Sequence, residues 1–401
     1  MYLMFKGIFQ PRRLWLSALL VAAAGFLAAC SGTFNDLNLP WQQPAQPAQP
    51  QQPAQAIGSG QIKVGLILPL SAGGNPGIAA QSMRNAAEMA LAEFNVPDVQ
   101  LLVKDDGGTA AGAQQAAQQA LDEGAEIIVG PLFAPSVGAA GQVARSRGRP
   151  VIAFSTDTSV AARGVYLLSF LPESDVERIV SYAATNGKRS FVALLPDNAY
   201  GTVVEAAFKQ AVARRNGRIV ALERYPLDKA QRTSAINAAA QAAKQADALF
   251  IPDGPDAAEL VEALAANKVN VKRIQLLGSG IWDDPSVAKS PSLQGAWYPA
   301  PDPAGFRNFA ARYRKRYGQD PVRTATLAYD AVALVAALAK TQGAQRFTDE
   351  VLTNNSGFSG IDGIFRLRPD GTNDRGLAVM RLTPSGGQPI GPAPTSFAPG
   401  L

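Results

Sequence analysis

The 401-residue chain is 47% hydrophobic and 17% charged, with 37 glycines, 29 prolines, one cysteine and no histidine. That length allows two or three domains with sizeable cores. Without histidine there is no Ser-His or Cys-His couple, no imidazole zinc cluster and no histidine pH switch. One cysteine excludes an internal disulfide and any Cys-x-x-Cys motif. The formal net charge of +5 raises nucleic acid or a membrane surface as partners, a hint that position must test.

Lys6, Arg12 and Arg13 precede an apolar run from Leu14 to Ala29, which meets Cys30. A basic head, a short apolar core and small residues before a cut site make a secretory leader, here residues 1–30. The run is short for a membrane span, and a polar linker follows it. Leu27-Ala28-Ala29-Cys30 resembles a bacterial lipobox, whose cysteine becomes the lipidated first residue. Acyl chains there would hold the protein on a membrane surface without spanning it. In lipoproteins of this kind a residue other than Asp after the cysteine, here Ser31, favours the outer membrane. Residues 31–60 form a Pro/Gln-rich tether, with Pro44, Pro47, Pro50 and Pro53 at the period of polyproline II. Fully extended, it would reach about 90 Å at roughly 3.1 Å per residue.

From Gln61 short apolar strands alternate with helices. Ile62–Leu68 leads to a helix from Gln81 to Phe94. VQLLVKD, a helix from Thr109 to Asp122, EIIVG, a helix from Pro135 to Arg147 and PVIAF follow. Near-continuous apolar strands between helices indicate parallel sheets covered on both faces, with ligands at the carboxyl ends of strands. The alternation restarts at YLLSFLP and runs through SFVALLPD, RIVALERY, ALFIPD and VKRIQLLGSG. The fold class is therefore α/β, two doubly wound parallel-sheet lobes rather than one enlarged sheet. Helices at Pro303–Tyr317 and Arg323–Lys340 then precede IDGIFRLRPDG and RGLAVMRLTPSG, which read as a hairpin-like pair. The expected division is residues 61–172 and 300–374 for lobe 1, 173–299 and 375–386 for lobe 2. Residues 387–401 read as an irregular tail.

Candidate chemistry is sparse. The Ser71–Gly77 loop fits neither G-x-G-x-x-G nor a P-loop; it is a ligand-contacting loop or a plain turn. Asp105-Asp106 and Asp283-Asp284 read as turns and caps rather than metal or acid/base pairs. Ser286-x-x-Lys289 lacks the companion motifs of penicillin-recognising enzymes. In the basic run Arg312–Tyr317, Phe306, Phe309, Tyr313 and Tyr317 share one helical stripe, so the aromatics read as core and the arginines as solvated face. No nucleic-acid partner, cofactor or metal is expected, and no nucleophile-base pair can be assembled, so the chain is not read as an enzyme.

KVGLILPLSAGG, GPLFAPSVGAAGQVARSRGRPVIAFSTD, LPDNAYG and LAYDAVALVAALA together resemble type I periplasmic binding proteins of the leucine/isoleucine/valine-binding kind, over about residues 61–385. The resemblance implies a three-segment hinge and a small-molecule ligand held between closing lobes. It places Ser71, Ala72, Gly73, Gly74, Phe133, Ala134, Ser155, Thr156 and Asp157 of lobe 1 in the cleft. From lobe 2 it adds Tyr200, Asp253, Gly280 and Trp282. All lie just beyond strand carboxyl ends. Amino-acid binders of this kind carry a glutamate where Gly280 and Ile281 stand here, so the charge for a ligand ammonium would have to come from Asp157 or Asp253. Phrases such as DDGGTAAGA, GSGIWDDP and FTDEVLTNNSGFSGIDGIFRLRPDGT resemble lipoproteins grouped with penicillin-binding-protein activators. Two functions follow as expectations. One is an anchored receptor serving an ABC permease for an amino acid or similar small polar ligand. The alternative is an outer-membrane activator of a peptidoglycan synthase. Loss of Lys6, Arg12 and Arg13 with the leader reduces the 37 basic residues to 34 against 32 acidic, so the apparent basicity belongs partly to the export signal.

Overall fold

The computed structural model describes residues 56–397. The leader, Cys30 and most of the tether lie outside the described residues. Two large sheets organise the body. In the first, the strands run in the order Ala56–Ile57, Val99–Asp105, Ile62–Leu68, Ile127–Val129, Val151–Ala153 and Val165–Leu167. All pairs are parallel except the short first one. Alternation sorts the side chains. Val64, Leu66 and Leu68 face one core with the helices Gly74–Phe94 and Ala325–Thr341, while Ile67 faces the other with Ala113, Ala117 and Ala140.

The second sheet has the order Gly386–Gly391, Ala378–Thr383, Trp297–Ala300, Gln275–Leu277, Ala248–Phe250, Ser190–Pro196 and Arg218–Tyr225. Val192 and Leu194 point to the core shared with the helices Thr233–Ala243 and Ala257–Ala266. Phe191, Ala193 and Leu195 point the other way, where the Phe208 ring stacks on Phe250 at 5.1 Å. The chain passes between the sheets three times: after Leu167, after Ala300 and after Arg375. This is the two-lobed α/β architecture with a three-segment hinge.

Three expectations are corrected. The first helix begins at Gly74 rather than Gln81, because Pro76 is tolerated in a first turn that needs no amide donor. The supposed hairpin does not form. Gly363–Leu367 pairs with Phe358–Gly360 and Asn373–Arg375 in a small antiparallel sheet, whereas Ala378–Thr383 joins the second large sheet. The tail is not irregular from 387, since Gly386–Gly391 is an edge strand antiparallel to Val379–Thr383. Pro389 is tolerated there because an edge strand leaves one side unpaired.

The basic run is the outer face of the helix Pro303–Tyr317. Phe309 and Tyr313 are buried, and Arg312, Arg314 and Arg316 pair with Glu93, Asp320 and Glu88. Ser286 spends its hydroxyl and amide on the Asp284 carboxylate at the start of a short helix.

Candidate functional site

Strand carboxyl ends from both sheets converge on the cleft between the lobes, where a cavity of about 350 Å³ opens. Thr156, which follows the strand Val151–Ala153, contributes from lobe 1 with Phe170 and Arg323. Tyr200, Gly280, Ile281 and Asp283 contribute from lobe 2 with Asp175, which lies in the first turn of the helix Pro172–Thr185. Pro172 and the run Pro299–Pro301 line it where the chain changes lobes.

Of the residues expected in the cleft, Thr156, Tyr200 and Gly280 form its wall. The others stand outside it. The Ser71 amide is taken by Asp105 Oδ1 at 3.2 Å. Gly73 and Gly74 cap and begin the first helix, beside Ala72. Phe133 and Ala134 start the helix Ala134–Ser146, with the Phe133 ring against Gly108. Ser155 is buried, its Oγ accepting the Asp157 amide at 3.0 Å, while Asp157 Oδ1 accepts the Ser159 amide.

Two of the expected residues are committed to contacts within the fold. Trp282 is fully buried, packed on Gly278 where any Cβ would fall 2.2 Å from its ring. Its Nε1 donates to the Asp253 carbonyl at 2.6 Å. Asp253 is likewise committed to the fold: its carboxylate accepts the Tyr225 hydroxyl at 2.5 Å and the Asp256 amide at 3.0 Å. Neither Asp157 nor Asp253 lines that cavity.

Asp175 does, and the sequence reading missed it. Its Oδ2 accepts the Gly280 amide at 2.8 Å across 105 residues of chain. A side chain at Gly280 would displace the Asp175 carboxylate, because a Cβ would fall 2.6 Å from its Oδ2. Burial pushes the Asp175 carboxyl up to about 7, the Gly280 amide opposing the rise. Its only local sequence signal is an acid in a helix first turn, which reads as a dipole partner. Asp283 accepts the Tyr298 hydroxyl at 3.2 Å, and desolvation raises its carboxyl too.

Arg323 was also missed. Its guanidinium lies between the rings of Phe170 and Phe306, 4.9 and 4.7 Å from their centroids. It grips the fully buried Asp362 with two bonds of 3.0 and 2.7 Å and gives a third to Thr326. Behind Phe170 the buried Arg375 stacks at 4.5 Å and donates its Nε to the Ser169 carbonyl. Its Nη1 and Nη2 have no partner among the described residues. Among the described residues no cluster of Cys, Asp and Glu is suited to a metal ion.

Residues 61–388 match the periplasmic binding protein family. A curated relative, Leu/Ile/Val-binding protein homolog 6 of Brucella melitensis, is 23% identical over 228 residues. That match spans 55% of this chain and only 58% of the relative. A crystal structure assigned to a branched-chain amino acid ABC transporter of Rhodospirillum rubrum superposes with a TM-score of 0.73 at 20% identity, covering 82% of this chain and 99% of that one. A solute binding protein of an ABC transporter from Rhodopseudomonas palustris BisB5, in complex with 3,4-dihydroxybenzoic acid, gives 0.57 at 21% identity, covering 84% and 96%.

Proposed function

The chain belongs to the periplasmic binding protein family, type I and of the leucine-binding kind, and from that premise we propose that it is a non-catalytic substrate receptor of an ABC-type uptake system. The observation that carries this reading is the cavity of about 350 Å³ walled by strand ends and hinge segments of both lobes. Its size falls within the range of small-molecule sites. Thr156 makes no hydrogen bond within the fold and faces that cavity, so its hydroxyl is free for a ligand. The same cavity sets the receptor above the alternative of a contact activator for a peptidoglycan synthase. Localisation follows from the leader: a lipid-anchored protein of the cell envelope, held through Cys30, with the outer membrane favoured by Ser31.

Thermal shift against amino acids, small peptides and cell-wall fragments tests the receptor reading. A ligand at 100 times its Kd stabilises the folded state by about 2.7 kcal/mol, which raises the melting temperature by several degrees. A flat response across the panel would count against the receptor. Recovery of a cell-wall synthase on the full-length protein would then support the activator.

A further inference from the structure

The cleft wall has spare carboxylate acceptors. Asp175 Oδ1 accepts no hydrogen bond, and Asp283 spends one oxygen on Tyr298. On the donor side, the Arg323 guanidinium is committed to Asp362 and Thr326. The Tyr200 hydroxyl lies within hydrogen-bond reach of Pro252 O and Ser279 Oγ, and the Gly280 amide already serves Asp175. The Thr156 hydroxyl remains unspent among the described residues, as do the Nε–H and one Nη2–H of Arg323.

Charge points the same way. Arg323 is the one cation on the wall, and the buried Asp362 neutralises it. Asp175 and Asp283 remain as carboxyl groups with no ion-pair partner among the described residues, the buried Arg375 acting on Asp175 from a distance. Phe170, Pro172, Ile281 and Pro299 supply apolar surface beside them, with Ile281 46% exposed. An anionic ligand would add negative charge beside Asp175 and Asp283. An ammonium or amidinium group would bring donors for their free oxygens and a charge opposite to theirs.

We infer that the cleft selects an organic cation with a compact apolar body, its protonated nitrogen donating to Asp175 and its body lying against Phe170, Ile281 and Pro299. This deepens the receptor reading and rests on it. It also separates this cleft from that of the Rhodopseudomonas palustris protein solved with 3,4-dihydroxybenzoic acid. Burial holds much of Asp175 protonated near neutrality, so a bound cation draws out a proton. The groups facing it are Glu173 on its own helix, the Gly280 amide, Tyr200 and the more distant Arg375. Cation affinity should therefore fall as pH drops below about 7, approaching tenfold per unit.

Three probes of one shape separate the outcomes: isoamylamine, leucine and 4-methylvalerate, titrated calorimetrically into the wild-type protein. The inference expects the amine to bind at least about tenfold tighter than the acid, with proton release into buffer. Asp175→Asn, whose Oδ1 still accepts the Gly280 amide, should weaken the amine by at least about tenfold, and Asp283→Asn by less. The second variant lies on the exposed rim, so it reads binding even where the first misfolds. Preferred binding of leucine or 4-methylvalerate overturns the cation and leaves the receptor standing. Silence from all three also overturns it, and the wider panel of the preceding section then decides whether the cleft binds anything.

Discussion

Removing a carboxylate from water without a cation costs several kcal/mol, and the hinge buries two with different solutions. Asp362 takes the fork of Arg323 and the Thr326 hydroxyl. Asp330 receives only the Ile361 amide at 2.8 Å on Oδ1, and its Oδ2 has no partner among the described residues. Burial first, then the Asp362 charge, pushes the Asp330 carboxyl up to about 7, with the Ile361 amide, Arg375 and Arg323 opposing. Below about pH 4 it is protonated in both the folded and unfolded chain and contributes nothing to the pH dependence. Between about pH 4 and 7 the unfolded chain gives up a proton that the fold retains, so stability declines as pH rises, and the loss is complete above 7. Asp175 adds to the decline with the same sign. Asp330→Asn cannot titrate. Relative to the parent, its melting temperature should gain a few degrees between about pH 5 and pH 8 by scanning fluorimetry. A constant offset across that range would show lost packing and no charge effect.

At the scale of elements, alternation and strand ends were legible, and pairing partners were not. Val64, Leu66 and Leu68 together with Ile67 announce a strand buried on both faces, and Thr156, Tyr200 and Gly280, which the family resemblance placed in the cleft, follow such strands. Gly386–Gly391 carries no hydrophobic pattern, since main-chain pairing with Val379–Thr383 and the contacts of Gly387 with Tyr298 hold it instead. The two strands read as a hairpin each fit an antiparallel pair, although the expected lobe boundary at 374/375 falls between them, where the chain crosses after Arg375. Asp175, Arg323 and Phe170 were illegible for a related reason. Their roles arise from contacts across lobes and hinge crossings, such as the bond from Gly280 to Asp175. Close helix-on-sheet packing gives a test at this scale. Gly65 lies in a central strand, and a Cβ there would come 2.9 Å from Ala120 Cβ and 3.6 Å from Ile128 Cγ1. Gly65→Val improves strand propensity but should force the helix Ala110–Asp122 outward, costing about 1–3 kcal/mol in urea unfolding. A neutral or stabilised variant would mean that this helix is free to shift.

For the whole molecule, the proposed lipid anchor, the tether and the two-lobed body would have to work as one object. A receptor must close and reopen about its three hinge crossings, which needs clearance from any surface that holds it. Since Ala56–Ile57 pairs into the first sheet, the tether is shorter than the expected 31–60, and residues 31–55 fully extended would give up to about 75 Å, well beyond the radius of a body this size. Among the described residues no helix is long and apolar enough to cross a membrane. The proposed attachment is through acyl chains at Cys30. Electrostatic adhesion is a weak substitute. The export-processed chain would be nearly neutral, and several of its arginines, including Arg312, Arg314 and Arg316, are paired with carboxylates. Cys30→Ser should therefore move the protein from the membrane pellet to the soluble periplasmic fraction and leave the melting temperature of the body unchanged. Dual acylation makes anchoring stable whereas one chain is marginal, so the wild-type protein should stay in the pellet through a high-salt wash. A Cys30→Ser protein that still pellets after that wash would place the attachment elsewhere in the chain.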